Sequence, residues 1–258
     1  MSEIIFSCST GKYATTNKIY KKQVKELAKQ LREYPLADSF ATSSQWIGTT
    51  NFNLRKPNFV IIHHTAQNSC EQTLQTFTLK RKEVSAHYVI CKDGTIHHML
   101  NDYLRAWHAG VAKWGNLTDI NSSSIGIELD NNGFEIFPES QISSLLNLLT
   151  VLKNQYNIPV SNFLGHGDIA PTRKVDPNVS FPWQLLAENG FGLWYDTTGV
   201  VLPLTFNTLE NLHIVGYDIT DSTAAIRAFR RHFFQIDSSL VLSDDDKKVL
   251  FNLAKKSM

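Results

Sequence analysis

The chain reads as an α/β protein, with a mixed central β-sheet flanked by helices and a small C-terminal helical domain. Three observations predict this. Short apolar runs with strand character alternate with segments of helical periodicity, as in Phe59–His64 followed by Cys70–Arg81. Two strand-like runs, His87–Cys91 and Thr95–Leu100, flank Lys92-Asp93-Gly94, a hairpin signal that makes the sheet mixed rather than wholly parallel. After about residue 200 the strand signals stop and only helical spacing remains.

The elements follow in order. Residues 17–34 form a lysine-rich amphipathic stretch with Ile19, Val24, Leu27 and Leu31 on one stripe, ended by Pro35. It is expected to be an N-terminal arm docked on the core. Residues 36–55 are polar and irregular, with Trp46 and Ile47 as anchors. Phe59–His64 is a short buried strand, and the helix at Cys70–Arg81 carries Leu74 and Phe77. Beyond the hairpin, Ser124–Asp130 is a further strand. Glu139–Tyr156 is the clearest helix, entered after Pro138, with Ile142, Leu145, Leu146, Leu149 and Leu152 on its apolar side. Ala224–Phe233 is helical through Ile226, Phe229 and Phe233. A last helix opens at Ser243, which can cap it with Asp246 three residues on, while Asp244–Asp246 suit the positive helix end. Domains are therefore expected at 1–50 (arm and helix), 51–200 (main domain) and 201–258 (helical module). The last, at about 50 residues, is short for an independent core and should lean on its neighbour.

Composition narrows the function. The 258 residues are 42% hydrophobic and 19% charged with net charge +1, and no Lys/Arg block with interleaved aromatics marks a nucleic-acid surface. No apolar run approaches the ~18–20 residues of a membrane span. Three cysteines are too few for a disulfide scaffold; Cys70 and Cys91 could pair or stay buried thiols, and the unpaired reading is preferred. Ser7-Cys8-Ser-Thr-Gly looks like a lipoprotein cleavage site, but too little precedes Cys8 to form a signal peptide. The expectation is an envelope protein whose signal has been trimmed, with Cys8 the possible lipid anchor.

The chemistry sits in two places. His166-Gly-Asp-Ile-Ala-Pro-Thr-Arg-Lys174-Val-Asp176-Pro177 sets a His and an Asp ten residues apart on a segment stiffened by two prolines. Far upstream, an apolar run ends in His63-His64-Thr65. Two imidazoles and a carboxylate suit Zn²⁺ at about 2.0–2.2 Å, and three protein ligands leave a fourth position open. Neighbours in a strand point to opposite faces, so one of His63 and His64 can reach a metal and the other cannot; parity does not say which. Glu128 shares a strand face with Gly126, opposite the apolar Ile125, Ile127 and Leu129, and the missing side chain there would leave room for substrate or water. Lys174, two residues from Asp176, is placed to share its direction. His87, His97 and His98 are read as strand residues.

Six segments carry a resemblance, in this order: Ile61-Ile-His63-His64-Thr65-Ala66, Val84-Ser-Ala-His87-Tyr88, Asp93-Gly94, Arg105-Ala-Trp107-His108-Ala-Gly110, Ser124-Ile-Gly-Ile-Glu128-Leu129 and Gly165-His166 through Pro177. Over roughly 55–185 they resemble the zinc-dependent N-acetylmuramoyl-L-alanine amidases, whose superfamily includes the peptidoglycan recognition proteins. The resemblance implies one zinc held by His63, His166 and Asp176, and Glu128 as general base. It implies Lys174 as a cation for the oxyanion, and a scissile bond between N-acetylmuramic acid and L-alanine. His64 is then a partly buried residue behind the sheet. Trp107 and His108 are candidates for lining the substrate cleft, with His108 alternatively packing on Trp107. Some relatives use a catalytic Tyr at the position of Ala86, which this chain lacks. More weakly, Leu212, Gly216-Tyr217 and Ala224–Phe233 resemble a peptidoglycan-binding helical domain. Three readings compete: an envelope amidase acting on peptidoglycan or muropeptides, a cytosolic recycling amidase for anhydro-muropeptides, and a non-catalytic recognition module.

Overall fold

In the computed structural model the described residues are 11–32, 49–51, 53–54, 56–236 and 240–258. Cys8, Pro35, Trp46 and Ile47 lie outside them. The chain divides into two compact units, Met1–Asn53 and Leu54–Met258. In the first, α1 (Ala14–Gln30) forms where the amphipathic stripe predicts a helix, and none of its residues is buried.

The second unit is built on a five-stranded sheet. β1 (Phe59–His64) lies between β4 (Ser124–Leu129) and β5 (Phe163–Gly165), parallel to both. β2 (Tyr88–Ile90) runs parallel to β4 on its other side, and β3 (Ile96–His98) closes the edge antiparallel to β2, giving the order β3-β2-β4-β1-β5. The hairpin turns where Gly94 adopts φ +88°, a conformation open to glycine, and Asp93 accepts from the Thr95 amide. β5 was not legible in the sequence, because three residues are too few to show a period.

One face of the sheet is closed by α3 (Glu139–Tyr156). Val60, Ile62, Ile125, Ile127 and Leu129 pack against Ile142, Leu145, Leu149 and Leu152. Such packing of continuous apolar strands is what a parallel sheet covered by helix requires. The other face holds a smaller cluster of Ile61, Ala109, Ala112, Ile120, Leu164 and Ile169. Polar residues take over toward the strands' C-terminal ends. α2 (Cys70–Thr78) is capped by the Ser69 side chain and stops earlier than its spacing predicts, passing into a tight turn at Lys80–Lys82.

Cys70, in the first turn of α2, is joined by a disulfide to Cys91 just past β2. This corrects the expectation of unpaired thiols. The 21-residue separation hid the pairing; the docking of α2 beside the sheet brings the two Cα atoms to 5.3 Å, within bonding range.

After α4 (His166–Ile169) and α5 (Trp183–Glu188), three helices follow: α6 (Thr208–Val215), α7 (Ser222–Phe234) and α8 (Asp244–Ser257). The Ser243–Asp246 capping box opens α8 as its sequence predicts. These helices have their own core of Leu212, Tyr217, Phe229, Phe233, Leu250 and Leu253, and belong to the same compact unit as the sheet.

Candidate metal centre and active site

His63 is the last residue but one of β1, and its register partner on the parallel neighbour β4 is Glu128, so both side chains rise from one face of the sheet. His166 follows directly on β5, the other neighbour of β1. Asp176 comes from the loop beyond α4 and is tied back by its own carbonyl, which accepts the Gly167 amide at 2.7 Å. A Cβ at Gly167 would lie 3.4 Å from that carbonyl oxygen and 2.9 Å from Arg231 Nη1, so a bare backbone suits this closure. Ligands placed beyond the C-terminal ends of parallel strands follow the general rule for open α/β sheets.

Three atoms converge. His63 Nδ1 and His166 Nδ1 are 2.9 Å apart, and Asp176 Oδ2 lies 3.2 and 3.0 Å from them. The outer nitrogens decide what these inner atoms carry. His166 Nε2 faces the Ala109 carbonyl at 3.0 Å and must donate to it. Ser124 Oγ donates to the Ile120 carbonyl at 2.6 Å, so it accepts from His108 Nε2–H at 3.1 Å. His108 Nδ1 is then a lone pair and accepts from His63 Nε2–H at 3.0 Å. Burial, followed by the neighbouring His166, pushes His63 down to about 4, and burial, with His63 next in effect, holds His108 well below its usual value. An imidazole that gives a lone pair to a metal is neutral, and in that form His63 and His166 aim two nitrogen lone pairs, with a carboxylate oxygen, at one spot. Such a set repels itself unless a cation is shared. Tetrahedral ligands at about 2.1 Å from an ion stand roughly 3.4 Å apart, close to the spacing seen. Among the described residues, His63, His166 and Asp176 form a group able to hold a metal.

Glu128 stands beside this spot. Its Oε2 is shut off from solvent and has no hydrogen-bond partner. Burial first, then the Asp176 charge, pushes its carboxyl up to about 8, with Lys174 pulling it down. The charge of Lys174 is thus felt at the Glu128 carboxyl. His64 points behind the sheet, where Nδ1 accepts the Asn178 amide at 3.1 Å, and burial lowers its pKa. His87 Nδ1 accepts the Gly126 amide and Nε2–H donates to the Leu104 carbonyl, so it too is a strand fastener.

Two sequence expectations change here. The space above Gly126 is not left for substrate: a Cβ there would meet the His108 ring at 2.4 Å, so the glycine admits His108. His108 is buried with both nitrogens engaged by His63 and Ser124, while Trp107 is 51% exposed on the surface beside it. Asn121, which the sequence did not single out, holds this segment by accepting the His108 and Ala109 amides. Arg173 likewise donates to the Ala109 and Val111 carbonyls. An isolated Asn or Arg carries no sequence signal of such a role.

An α/β sheet that presents two imidazoles, a carboxylate and an unpartnered glutamate at its C-terminal edge defines a metal-assisted hydrolase site. The sequence profile of the N-acetylmuramoyl-L-alanine amidases (Amidase_2) matches residues 53–179, and the chain belongs to this family of amide-hydrolysing enzymes. Zinc dependence is general in the family. The amidase AmiD of Escherichia coli K12 is 34% identical, over 67% of this chain and 74% of that protein. The 1,6-anhydro-N-acetylmuramyl-L-alanine amidase AmpD of Haemophilus influenzae is 39% identical over 39% of this chain and 55% of its own length. Among solved structures, E. coli AmiD in complex with anhydro-N-acetylmuramic acid-L-Ala-D-γ-Glu-L-Lys superposes with a TM-score of 0.70 at 29% identity, covering 81% of this chain and 93% of that one. AmpDH3 of Pseudomonas aeruginosa, in complex with an anhydromuramic pentapeptide, gives 0.71 at 27% identity, covering 86% and 99%.

Proposed function

We propose that the chain is a zinc amidase of the cell envelope that hydrolyses the bond between N-acetylmuramic acid, including its anhydro form, and L-alanine in peptidoglycan or muropeptides. The observation that carries this is the meeting of three electron-rich atoms of His63, His166 and Asp176 beside the unpartnered Glu128 Oε2. One zinc per chain is held by those three residues. When bound, the ion supplies a Lewis acid that lowers the pKa of water toward ~7 and polarises a carbonyl oxygen.

The chain's own groups do the rest. Glu128 takes the proton of the attacking water and returns it to the leaving amine of L-alanine. Lys174 holds its cation toward the oxygen of the scissile carbonyl as negative charge develops there. His108 orients His63 and is not itself a substrate contact, while exposed Trp107 is available at the rim for glycan or peptide. The substrates bound by AmiD and AmpDH3 support the anhydro-muropeptide as a form accepted here. Helices α6–α8 are assigned contact with polymeric peptidoglycan.

The Cys70–Cys91 disulfide supports an oxidising compartment over the cytosol, and with it the envelope reading; a lipid anchor at Cys8 rests on the Ser7-Cys8-Ser-Thr-Gly sequence alone. The non-catalytic alternative is disfavoured because all three ligands and Glu128 are present.

Purified sacculi and soluble anhydro-muropeptides should be digested in parallel, with product masses and zinc content measured. Release of intact stem peptide and about one zinc per chain are expected. Full activity in metal-free protein overturns the mechanism, and intact substrates in both arms overturn the assignment. Membrane partitioning of the protein from its native gene, lost in Cys8→Ser, tests the location.

A further inference from the structure

Asp168 lies two residues beyond His166 and is 3% exposed. Its carboxylate is engaged by the C-terminal helices. Oδ2 accepts the Gly165 amide at 2.7 Å, the residue just before His166, and His232 Nδ1–H at 2.8 Å. Oδ1 accepts the Tyr217 hydroxyl at 3.0 Å. His232 belongs to α7 and stacks on Trp183, with ring centroids 3.9 Å apart. Tyr217, just past α6, is 1% exposed and packs edge-on against Trp114. Next to His232, Arg231 Nη1 donates to the Lys174 carbonyl at 3.4 Å and stands over Gly167. The segment carrying His166, Lys174 and Asp176 is thus fastened by one buried carboxylate to Tyr217 and His232, and by the Lys174 carbonyl to Arg231.

We propose that Asp168 is a positioning residue through which Tyr217 and His232 of the C-terminal helices hold the ligand segment 165–176 in its metal-binding geometry. These helices are then part of the metal centre's support, in addition to any contact with polymer. Outer partners of metal ligands commonly control affinity by 10–100-fold. The proposal rests on the zinc site proposed above.

The test measures zinc affinity by competition with a chelator, alongside the melting temperature, for wild type, Tyr217→Phe, Asp168→Asn and Asp246→Asn. Tyr217→Phe keeps the ring and removes only the hydroxyl. Asp246→Asn breaks the Arg230–Asp246 pair within the same helices and has no hydrogen bond to the ligand segment. Expected are a roughly 10-fold loss of zinc affinity in Tyr217→Phe and a larger one in Asp168→Asn. Turnover of Tyr217→Phe should be restored by excess zinc, and Asp246→Asn should keep wild-type affinity even where it melts earlier. Affinity of Tyr217→Phe within two-fold of wild type overturns the proposal. So does a loss in Asp246→Asn that matches Tyr217→Phe at equal melting shift, since the effect is then general stability. Wild type that takes up no zinc overturns the metal reading and this proposal together.

Discussion

The two faces of the central sheet are made from the same strands and do opposite work. On the α3 face, Val60, Ile62, Ile125, Ile127 and Leu129 are fully buried hydrocarbon packed on hydrocarbon. On the other, the same strands carry His63, Gly126 and Glu128, and place is kept by hydrogen bonds running from His63 through His108 and Ser124 to the Ile120 carbonyl. Apolar packing is non-directional and tolerates small repacking. A relay of single donors and acceptors does not, because each member fixes the tautomer of the next. One face should therefore fail by melting, and the other by losing chemistry while still folded.

The largest effect is expected from His166→Ala. It removes one of three ligands, so zinc should fall from about one equivalent to near none, and amidase activity should vanish with it. Elemental analysis of the folded variant checks this; retained zinc would break the division between faces.

Glu128→Gln comes next. It keeps the size and removes the base, so turnover should drop by roughly 10²–10⁴ with KM little changed and zinc retained. Zinc loss in this variant would move Glu128 into the metal shell.

Leu149→Ala probes the opposite face. Leu149 is fully buried against the strands, and truncation should cost about 2–5 kcal/mol of stability, read by denaturant melting. Zinc per folded molecule and KM should stay as in wild type. Impaired zinc binding here would mean that the two faces are not separable.

A smaller loss is expected from Ser124→Ala, which removes the acceptor of the His108 proton. Zinc affinity should weaken by about 10-fold with little change in melting. An unchanged affinity would show that packing alone orients His63.

The smallest effect is a pH dependence of the metal-free protein. The Glu128 carboxyl is pushed from 4.5 to about 8 by burial and then by the Asp176 charge. Because the folded value is raised, its contribution to stability is intact below about 4.5 and is lost as pH rises through 8. The metal-free wild type should lose roughly a few °C of melting temperature between pH 5 and 8 relative to Glu128→Gln, and bound zinc should flatten the difference.

How much of this was legible depends on range along the chain. Glu139–Tyr156 was readable to the residue because its apolar spacing and Pro138 are local signals, and the Ser243 cap was readable for the same reason. β5 and the disulfide were not, one being too short for a period and the other joining residues 21 apart. Strand parity put Glu128 and Gly126 on one face, but the sequence could not say what would fill the gap above the glycine. The structure fills it with His108, from a loop with no period at all.

By itself, then, the sequence determined the α/β alternation, the family and the residue types of the candidate metal centre, since all of these are written in local spacing and in contiguous words. Strand parity left open which of His63 and His64 faces the ligand spot; the resemblance pointed to His63, and the tertiary structure sets His63 there and turns His64 behind the sheet. It alone joined His108 to His63 and Ser124, and Asp168 to Tyr217 and His232. Those outcomes depend on which distant segments share a buried polar group. Each buried donor or acceptor must find a partner in three dimensions, and no local pattern names that partner.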